Sequence, residues 1–431
     1  MNTSETPVVK DIVLVGGGHS HVAVLKRFGM KPVPGIRLTL ICRDVHTPYS
    51  GMLPGYVAGH YDYDDAHIDL GALARFAGAR FYHNAVTGLD LLNNKVHCDG
   101  RPDIPYELLS INIGSAPQTD NVPGASDSVT PVKPVSQFLS KWEALRTRAL
   151  TQDGPMRVAV VGGGAGGVEI LLALQFRLKR LRAEAGMRGP DIEYHLFTDT
   201  PDILPTHGDK VRATFRDVLE KRGVTLHTGH AVTEVSKGRL IAANGAETEA
   251  DEILWVTAAG AASWLAQTGL DLDEQGFIAV SDTLQSTSHP NVFAAGDIAS
   301  VINHPRPKSG VFAVRQGPPL ADNIRRLALG QTPKPFKPQK EFLGLISTGD
   351  KYAVASRGSW SIKGRLVWMW KDWIDRRFMK KFNDLPDMAE ETKTKLPRGL
   401  ADNDVIKEIS AIAMRCADAA PRSARRCWPG R

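Results

Sequence analysis

The sequence predicts an α/β protein in which two strand–turn–helix units lie one inside the other. Three observations lead there. Two glycine-rich turns, each between an apolar run and a helical pattern, begin 146 residues apart, at Gly16 and Gly162. A strand ending in small residues follows each, near Gly114 and near Ala258. A late apolar run closes on Gly296 and Asp297. Alternating strands and helices with such turns build parallel sheets whose strand ends open toward a ligand. The expected architecture is two Rossmann-type domains, the second inserted in the first, plus a small C-terminal α+β domain. Expected limits are 8–135 and 271–335 for the first, 136–270 for the second, 336–386 for the third and 387–431 for a linker and tail.

Residues 11–21 read D-I-V-L-V-G-G-G-H-S-H, a strand, a sharp turn and a helix start. Such a turn lets backbone approach a pyrophosphate, and the helix end offers N–H groups and partial positive charge. The third glycine of the fingerprint is replaced by His21, so the following helix should stand off the sheet or cover the imidazole. Residues 37–42 read as the second strand. Its end holds Cys42 where an acidic ribose ligand is usual, followed by Arg43 and Asp44. Asp44 is then the candidate ribose acceptor, and Cys42 reads as a small buried apolar group. Residues 47–59 are rich in turn formers and suit a loop along a ligand. A helix is expected over 68–76, and antiparallel strands over 80–90 and 94–97.

The strand at 108–113 ends at Gly114, and a Pro-rich crossover leads on. Residues 157–169 repeat the opening theme with a complete loop, Gly162, Gly164 and Gly167, before a helix running to about Glu184. The strand at 194–198 ends in Thr198-Asp199, with no basic residue beside it. At 290–299 a strand gives way at Gly296-Asp297, where a helix is expected to begin and Asp297 to meet a ligand hydroxyl or cap that helix.

The 431 residues suffice for two or three domains, and 42% hydrophobic with 23% charged residues describes a globular chain. The net charge of +6, concentrated toward the C-terminus, points to a local anionic partner and away from nucleic acid. Cys42, Cys98, Cys416 and Cys427 form no close-spaced pair, so a reducing compartment and no local redox dithiol are expected. No signal-like or membrane-spanning apolar run is present, which predicts a cytoplasmic protein with peripheral attachment left open. His19 and His21 read as loop features, and no metal is expected. Within 342–382, Trp360, Trp368, Trp370, Trp373, Phe378 and Phe382 interleave with Lys363, Arg365, Lys371, Arg376, Arg377, Lys380 and Lys381. That pattern suits an interfacial helix on anionic lipid at the inner face of the cell membrane. The other reading is a cover for the first domain or a homodimer interface.

The two loops, the two small-residue strand ends and V-F-A-A-G-D at 292–297 together resemble the two-dinucleotide flavoprotein oxidoreductases, the pyridine nucleotide-disulfide oxidoreductase superfamily, over roughly residues 10–385. Residues 47–54, 194–205, 306–326 and 349–382 look like its type-II NADH:quinone oxidoreductase branch. The chain also resembles the flavoprotein half of fusions that end in a selenide, water dikinase. The resemblance implies FAD on the first loop and NADH or NADPH on the second. It places FAD against Gly16, Gly17, Gly18, His19, Ser20, Arg43, Asp44, Pro48, Tyr49, Gly114, Gly296 and Asp297. It places NAD(P)H against Gly162, Gly164, Ala165, Gly167, Asp199 and Ala258, with Glu169 toward the nicotinamide. Arg315 and Gln316 would stand by the isoalloxazine and the acceptor pocket. His21, Cys42, Thr198 (often Glu in NADH enzymes) and Ala258 (often Gly) depart from the pattern.

Hydride transfer needs two stacked rings and little water; the flavin supplies the chemistry and the protein the positions. With no dithiol, electrons are expected to pass directly to a small acceptor, foremost a quinone. Two alternatives are a flavoprotein acting on sulfide or selenide, and a non-enzymatic flavin redox sensor linked to selenophosphate synthesis. Read from Cys416 with one inserted base, GC-rich codons give a Cys-containing, Gly-rich run like the opening of a selenide, water dikinase. On that reading 417–431 is an out-of-frame tail.

Overall fold

The computed structural model describes residues 7–386 apart from 118, 120, 153, 188–191, 237, 258 and 340. Ala258 and the expected linker and frameshifted tail therefore lie outside the described residues. All described residues but Pro386 belong to one compact unit, Met1–Leu385.

The chain opens with strand β1 (Lys10–Val15), helix α1 (His19–Met30), and strands β2 (Ile36–Cys42), β3 (Arg80–His83) and β4 (Leu108–Ile111). Strand β5 (Thr130–Pro131) and helix α2 (Val135–Thr151) lead to β6 (Arg157–Val161), α3 (Ala165–Glu184), β7 (Glu193–Thr198), β8 (Val224–Thr228) and β9 (Glu252–Trp255). The chain then returns through β10 (Val292–Ala294) and α4 (Gly310–Ala328) to β11 (Gly344–Ser347), β12 (Ala353–Arg357), β13 (Trp360–Gly364) and α5 (Arg365–Asn383).

Two five-stranded parallel sheets result, in the orders β10-β4-β1-β2-β3 and β5-β9-β6-β7-β8. The second sheet lies wholly between β4 and β10 in sequence, so it is inserted in the first, as expected. β11–β13 form a small antiparallel sheet backed by α5. The central strands are continuous apolar runs because helices or meanders cover both faces. Ile12, Val13 and Leu14 of β1 and Val158, Ala159 and Val160 of β6 are fully buried. α1 turns Val22, Val24, Leu25 and Phe28 inward, each stabilising by about 2 kcal/mol. It packs closely on α4 because Gly317 faces Ala23; a Cβ at Gly317 would lie 2.6 Å from the Ala23 methyl.

Three expectations are corrected. The run at 80–90 is not one antiparallel strand. Arg80–His83 is the parallel edge strand of the first sheet, and Val86–Asp90 starts a separate meander with Lys95–Cys98 and Arg101–Pro105. Asn84 and Ala85 interrupt the run, and Asn84 N–H bonds Cys42 O at the sheet end. Asp297 does not start a long helix: Gly296–Ile298 is a single 3₁₀ turn, and the helix begins at Gly310. The aromatic and basic side chains of α5 divide between two faces. Val367, Lys371, Asp375, Met379 and Phe382 form a buried stripe near i, i+4 spacing. Phe378 packs on Tyr49, whereas Leu366, Met369, Trp370 and Trp373 form the exposed face. No helix among the described residues is long and apolar enough to cross a membrane.

Candidate functional site

A cleft of about 560 Å³ opens at the carboxyl ends of β1, β2, β4 and β10. Gly16, Gly17, Gly18, His19, Arg43, Asp44, Pro48, Gly114 and Asp297 all line it. Gly16 adopts φ +93°, and its N–H donates to Ile41 O at 2.8 Å. A Cβ there would lie 2.5 Å from Asn112 O. Ser20 and Gly296 lie behind the wall: Ser20 Oγ donates to Ala313 O (2.7 Å), and Gly296 N–H to Gln316 Oε1 (2.6 Å). The Lys133 ammonium meets Asp297 Oδ2 at 2.8 Å, and Ser115 Oγ donates to the same oxygen at 3.2 Å.

Asn112 organises this wall and was missed from the sequence, where it reads as one more residue of a strand. Its carbonyl accepts from Gly18 N–H, and its Oδ1 accepts from the N–H groups of Ser20 (3.1 Å) and His21 (3.3 Å). It thereby caps α1 from a neighbouring strand, which no local capping pattern signals. The only hint was its place just before Gly114.

His21 shows how the first loop works without its third glycine. In the second loop a Cβ on Gly167 would overlap Gly162 O, so the helix rests directly on that carbonyl. In the first, His21 is fully buried, with Nδ1 2.7 Å from Gly16 O and Nε2 2.8 Å from Ser110 Oγ. A carbonyl only accepts, so Nδ1 carries the proton and Nε2 accepts from Ser110. The imidazole thus bridges the turn to β4, covered as expected. Burial pushes it down to about 4. Below the unfolded value near 6.5 the unfolded chain takes up a proton that the folded imidazole refuses. Its stabilisation is therefore whole above pH 6.5 and is lost on acidification, by about 3 kcal/mol at pH 4. Urea midpoints measured from about pH 7 down to 4.5 should fall, and His21→Gln should flatten that fall.

The second loop is built alike at the end of β6. Gly162 takes φ +129° and donates to Phe197 O at 2.8 Å. Gly163 abuts Thr198, which is buried with Oγ1 2.7 Å from Thr200 Oγ1. Thr198 therefore packs the loop, and the next residue, Asp199, presents an exposed carboxylate. Ala165 begins α3.

A third constellation joins the C-terminal sheet and α5 to these loops. Lys371, 7% exposed, donates to Gly51 O (2.6 Å) and to Asp375 Oδ2 (2.7 Å). Burial and the neighbouring Asp375 carboxylate together raise the Tyr49 hydroxyl. The Tyr49 ring lies 5.5 Å from His19 and 4.5 Å from Phe378. Glu169, one turn into α3, accepts from Ser347 N–H at 2.7 Å and feels both Lys371 and Asp375. Burial raises the Glu169 and Asp375 carboxyls, and Lys371 opposes that rise. Lys371 and Asp375 looked like ordinary polar positions of a basic helix. Their four-residue spacing was the available signal.

Gln316 is a buried strut holding Gly296, whereas Arg315 is exposed on α4 and does not line the cleft. The four-residue step of the buried face turns Gln316 inward and its neighbour out. Cys42 and Cys98 are free, and the Cys42 thiol sits beside Gly17.

The residues present fit two dinucleotides. His19 Nε2 is buried in the first cleft without a partner. At Gly164, φ is an ordinary −71° and a Cβ would meet no protein atom within 4 Å. Neither conformation nor packing demands glycine there, whereas a close-lying phosphate would.

The family pattern of the pyridine nucleotide-disulphide oxidoreductases matches residues 10–317. NADH dehydrogenase-like protein YutJ of Bacillus subtilis (strain 168) is 23% identical over 377 residues, 84% of this chain and 99% of that protein. A type II NADH:quinone oxidoreductase of Haemophilus influenzae is 28% identical over 222 residues, 46% of this chain and 50% of that one. Among solved structures, NDH2 from Plasmodium falciparum in complex with NADH shares the fold with a TM-score of 0.74 at 14% identity, covering 86% of this chain and 96% of that one. The chain belongs to the pyridine nucleotide-disulphide oxidoreductase family and is an NAD(P)H-dependent flavoprotein oxidoreductase of the NADH dehydrogenase-like kind.

Proposed function

We propose that this protein oxidises NADH at the Gly162–Gly167 loop, holds FAD at the Gly16–Gly18 loop, and reduces a quinone. On this reading 8–135 with 271–335 binds FAD, 136–270 binds NADH, and 336–386 shapes the acceptor site. One observation carries it: the Glu169, Lys371, Asp375 and Tyr49 cluster runs from the helix after the second loop to the wall of the first cleft. When bound, the flavin supplies two-electron transfer between donor and acceptor. The residues supply positions and protons. A quinone gains two protons on reduction, and this cluster sets two buried carboxyls against one ammonium. Burial favours the protonated form of each carboxyl against the pull of Lys371, which suits the cluster to hold a proton and pass it toward Tyr49. Asp199 favours NADH, because its carboxylate accepts from a ribose hydroxyl and repels a 2′-phosphate.

The exposed Leu366, Met369, Trp370 and Trp373 face, with Arg377 stacked 5.1 Å over Trp373, supports contact with anionic lipid, the source of a hydrophobic quinone. An anaerobic titration tests the reading. NADH should bleach the flavin band, NADPH should bleach it at least tenfold less effectively, and a quinone in anionic vesicles should restore it while shifting tryptophan emission to the blue. A bound flavin that NADH leaves oxidised overturns the proposal. Reoxidation by quinone without any emission shift removes the lipid contact from it.

A further inference from the structure

The first loop has already used most of the backbone donors with which such turns hold an anion. Gly16 N–H goes to Ile41 O, Gly18 N–H to Asn112 O, and Ser20 and His21 N–H to Asn112 Oδ1. Among the described residues, this leaves the turn two N–H groups, those of Gly17, beside the Cys42 thiol, and His19. The His19 imidazole is no substitute, since burial keeps it neutral at physiological pH. A dinucleotide carries a dianionic diphosphate, so the compensating charge must come from elsewhere in the cleft. Arg43 stands 3.9 Å from Asp44 and is more than half exposed. Lys308 is near Asp297 but is tied to Ala299 O and lies over the Phe277 ring. Lys133 remains. It lines the cleft, and Asp297 fixes its ammonium at 2.8 Å while, among the described residues, two further donors stay free. It also lies close enough to His19 at the head of α1 to act on it electrically.

We propose that Lys133 is an anchoring residue for the diphosphate of the cofactor held by the first loop, replacing the backbone donors that Asn112 consumes. The inference rests on the reading of this cleft as the FAD site. Lys133 follows β5, the edge strand of the second sheet, whereas Asp297 follows β10 of the first. Binding of the diphosphate therefore draws on both halves of the molecule.

The test compares FAD with riboflavin, which has the same ring and no phosphate, by flavin fluorescence quenching in the full-length apoprotein. Lys133→Met should weaken FAD at least tenfold and leave riboflavin unchanged, and Lys133→Arg should recover most of the loss. The urea midpoint of the apoprotein should barely move, since half-exposed ion pairs contribute little to stability. In the wild type, raising salt should weaken FAD far more than riboflavin, a readout that needs no variant. Unchanged FAD affinity in Lys133→Met, equal loss for both ligands, or equal salt dependence would each overturn the inference. A wild-type apoprotein that takes up riboflavin but no FAD defeats the reading of the cleft itself.

Discussion

Gly167→Ala is expected to abolish reduction by NADH, at least 100-fold in kcat/KM, while the purified protein keeps its flavin. The added methyl falls inside contact distance of the Gly162 carbonyl. That carbonyl cannot retreat, because Gly162 is pinned at φ +129° by its bond to Phe197 O and a side chain there would overlap Val256 O. The start of α3 must lift off β6, and the N–H groups of the loop lose their aim. A 100-fold loss corresponds to about 2.7 kcal/mol, within the roughly 1–3 kcal/mol of an overpacked core position. Gly164→Ala separates the ligand from the fold. Its methyl meets no protein atom, so thermal stability should stay the same while the KM for NADH rises. Unchanged kinetics in Gly164→Ala would show that no ligand approaches the loop there. Gly16→Ala is the counterpart in the first sheet. It combines φ +93° with a contact at 2.5 Å to Asn112 O and should yield protein with little flavin.

The readability of these loops follows from what they are made of. A glycine turn between an apolar strand and a helix is a local pattern, so both loops, the inserted second sheet and Asp297 could be found from the chain alone. Asn112, Lys133 and the Lys371–Asp375 pair are of another kind. Each acts through contacts across large sequence separations: Asn112 on Ser20, Lys133 on Asp297, Lys371 on Gly51. An isolated Asn or Lys carries no local mark of such a partner. The same limit explains Arg315, whose motif was legible but whose direction depends on which face of α4 meets α1. It also explains α5, where composition suggested one amphipathic surface and packing divided it. Lys371 points inward because Asp375, Gly51 O and Glu169 wait there, not because its own helix pattern demands it.

Lys371→Met should give the second large effect, on stability as well as turnover. The Lys371 ammonium offsets two buried carboxyls, Glu169 and Asp375. Removing one partner of a buried pair leaves charge uncompensated, at about 3–5 kcal/mol. The pH dependence gives the sign. Burial already raises both carboxyls, so their contribution is whole below their unfolded values and is lost as pH rises through the folded ones. Lys371 holds that rise in check. Without it the folded values climb further, so the deficit of Lys371→Met in urea should be larger at about pH 8 than at about pH 5. Lys371→Met/Asp375→Leu should recover at least half of the lost stability, since an apolar pair replaces an ionic one. The two roles then part company. If the cluster delivers protons, the double variant should still reoxidise with quinone at least tenfold more slowly than the wild type, although NADH bleaches its flavin normally. A double variant with wild-type reoxidation would reduce the cluster to a structural clamp between α5 and the loop at Tyr49. That outcome would leave the acceptor's protons to solvent.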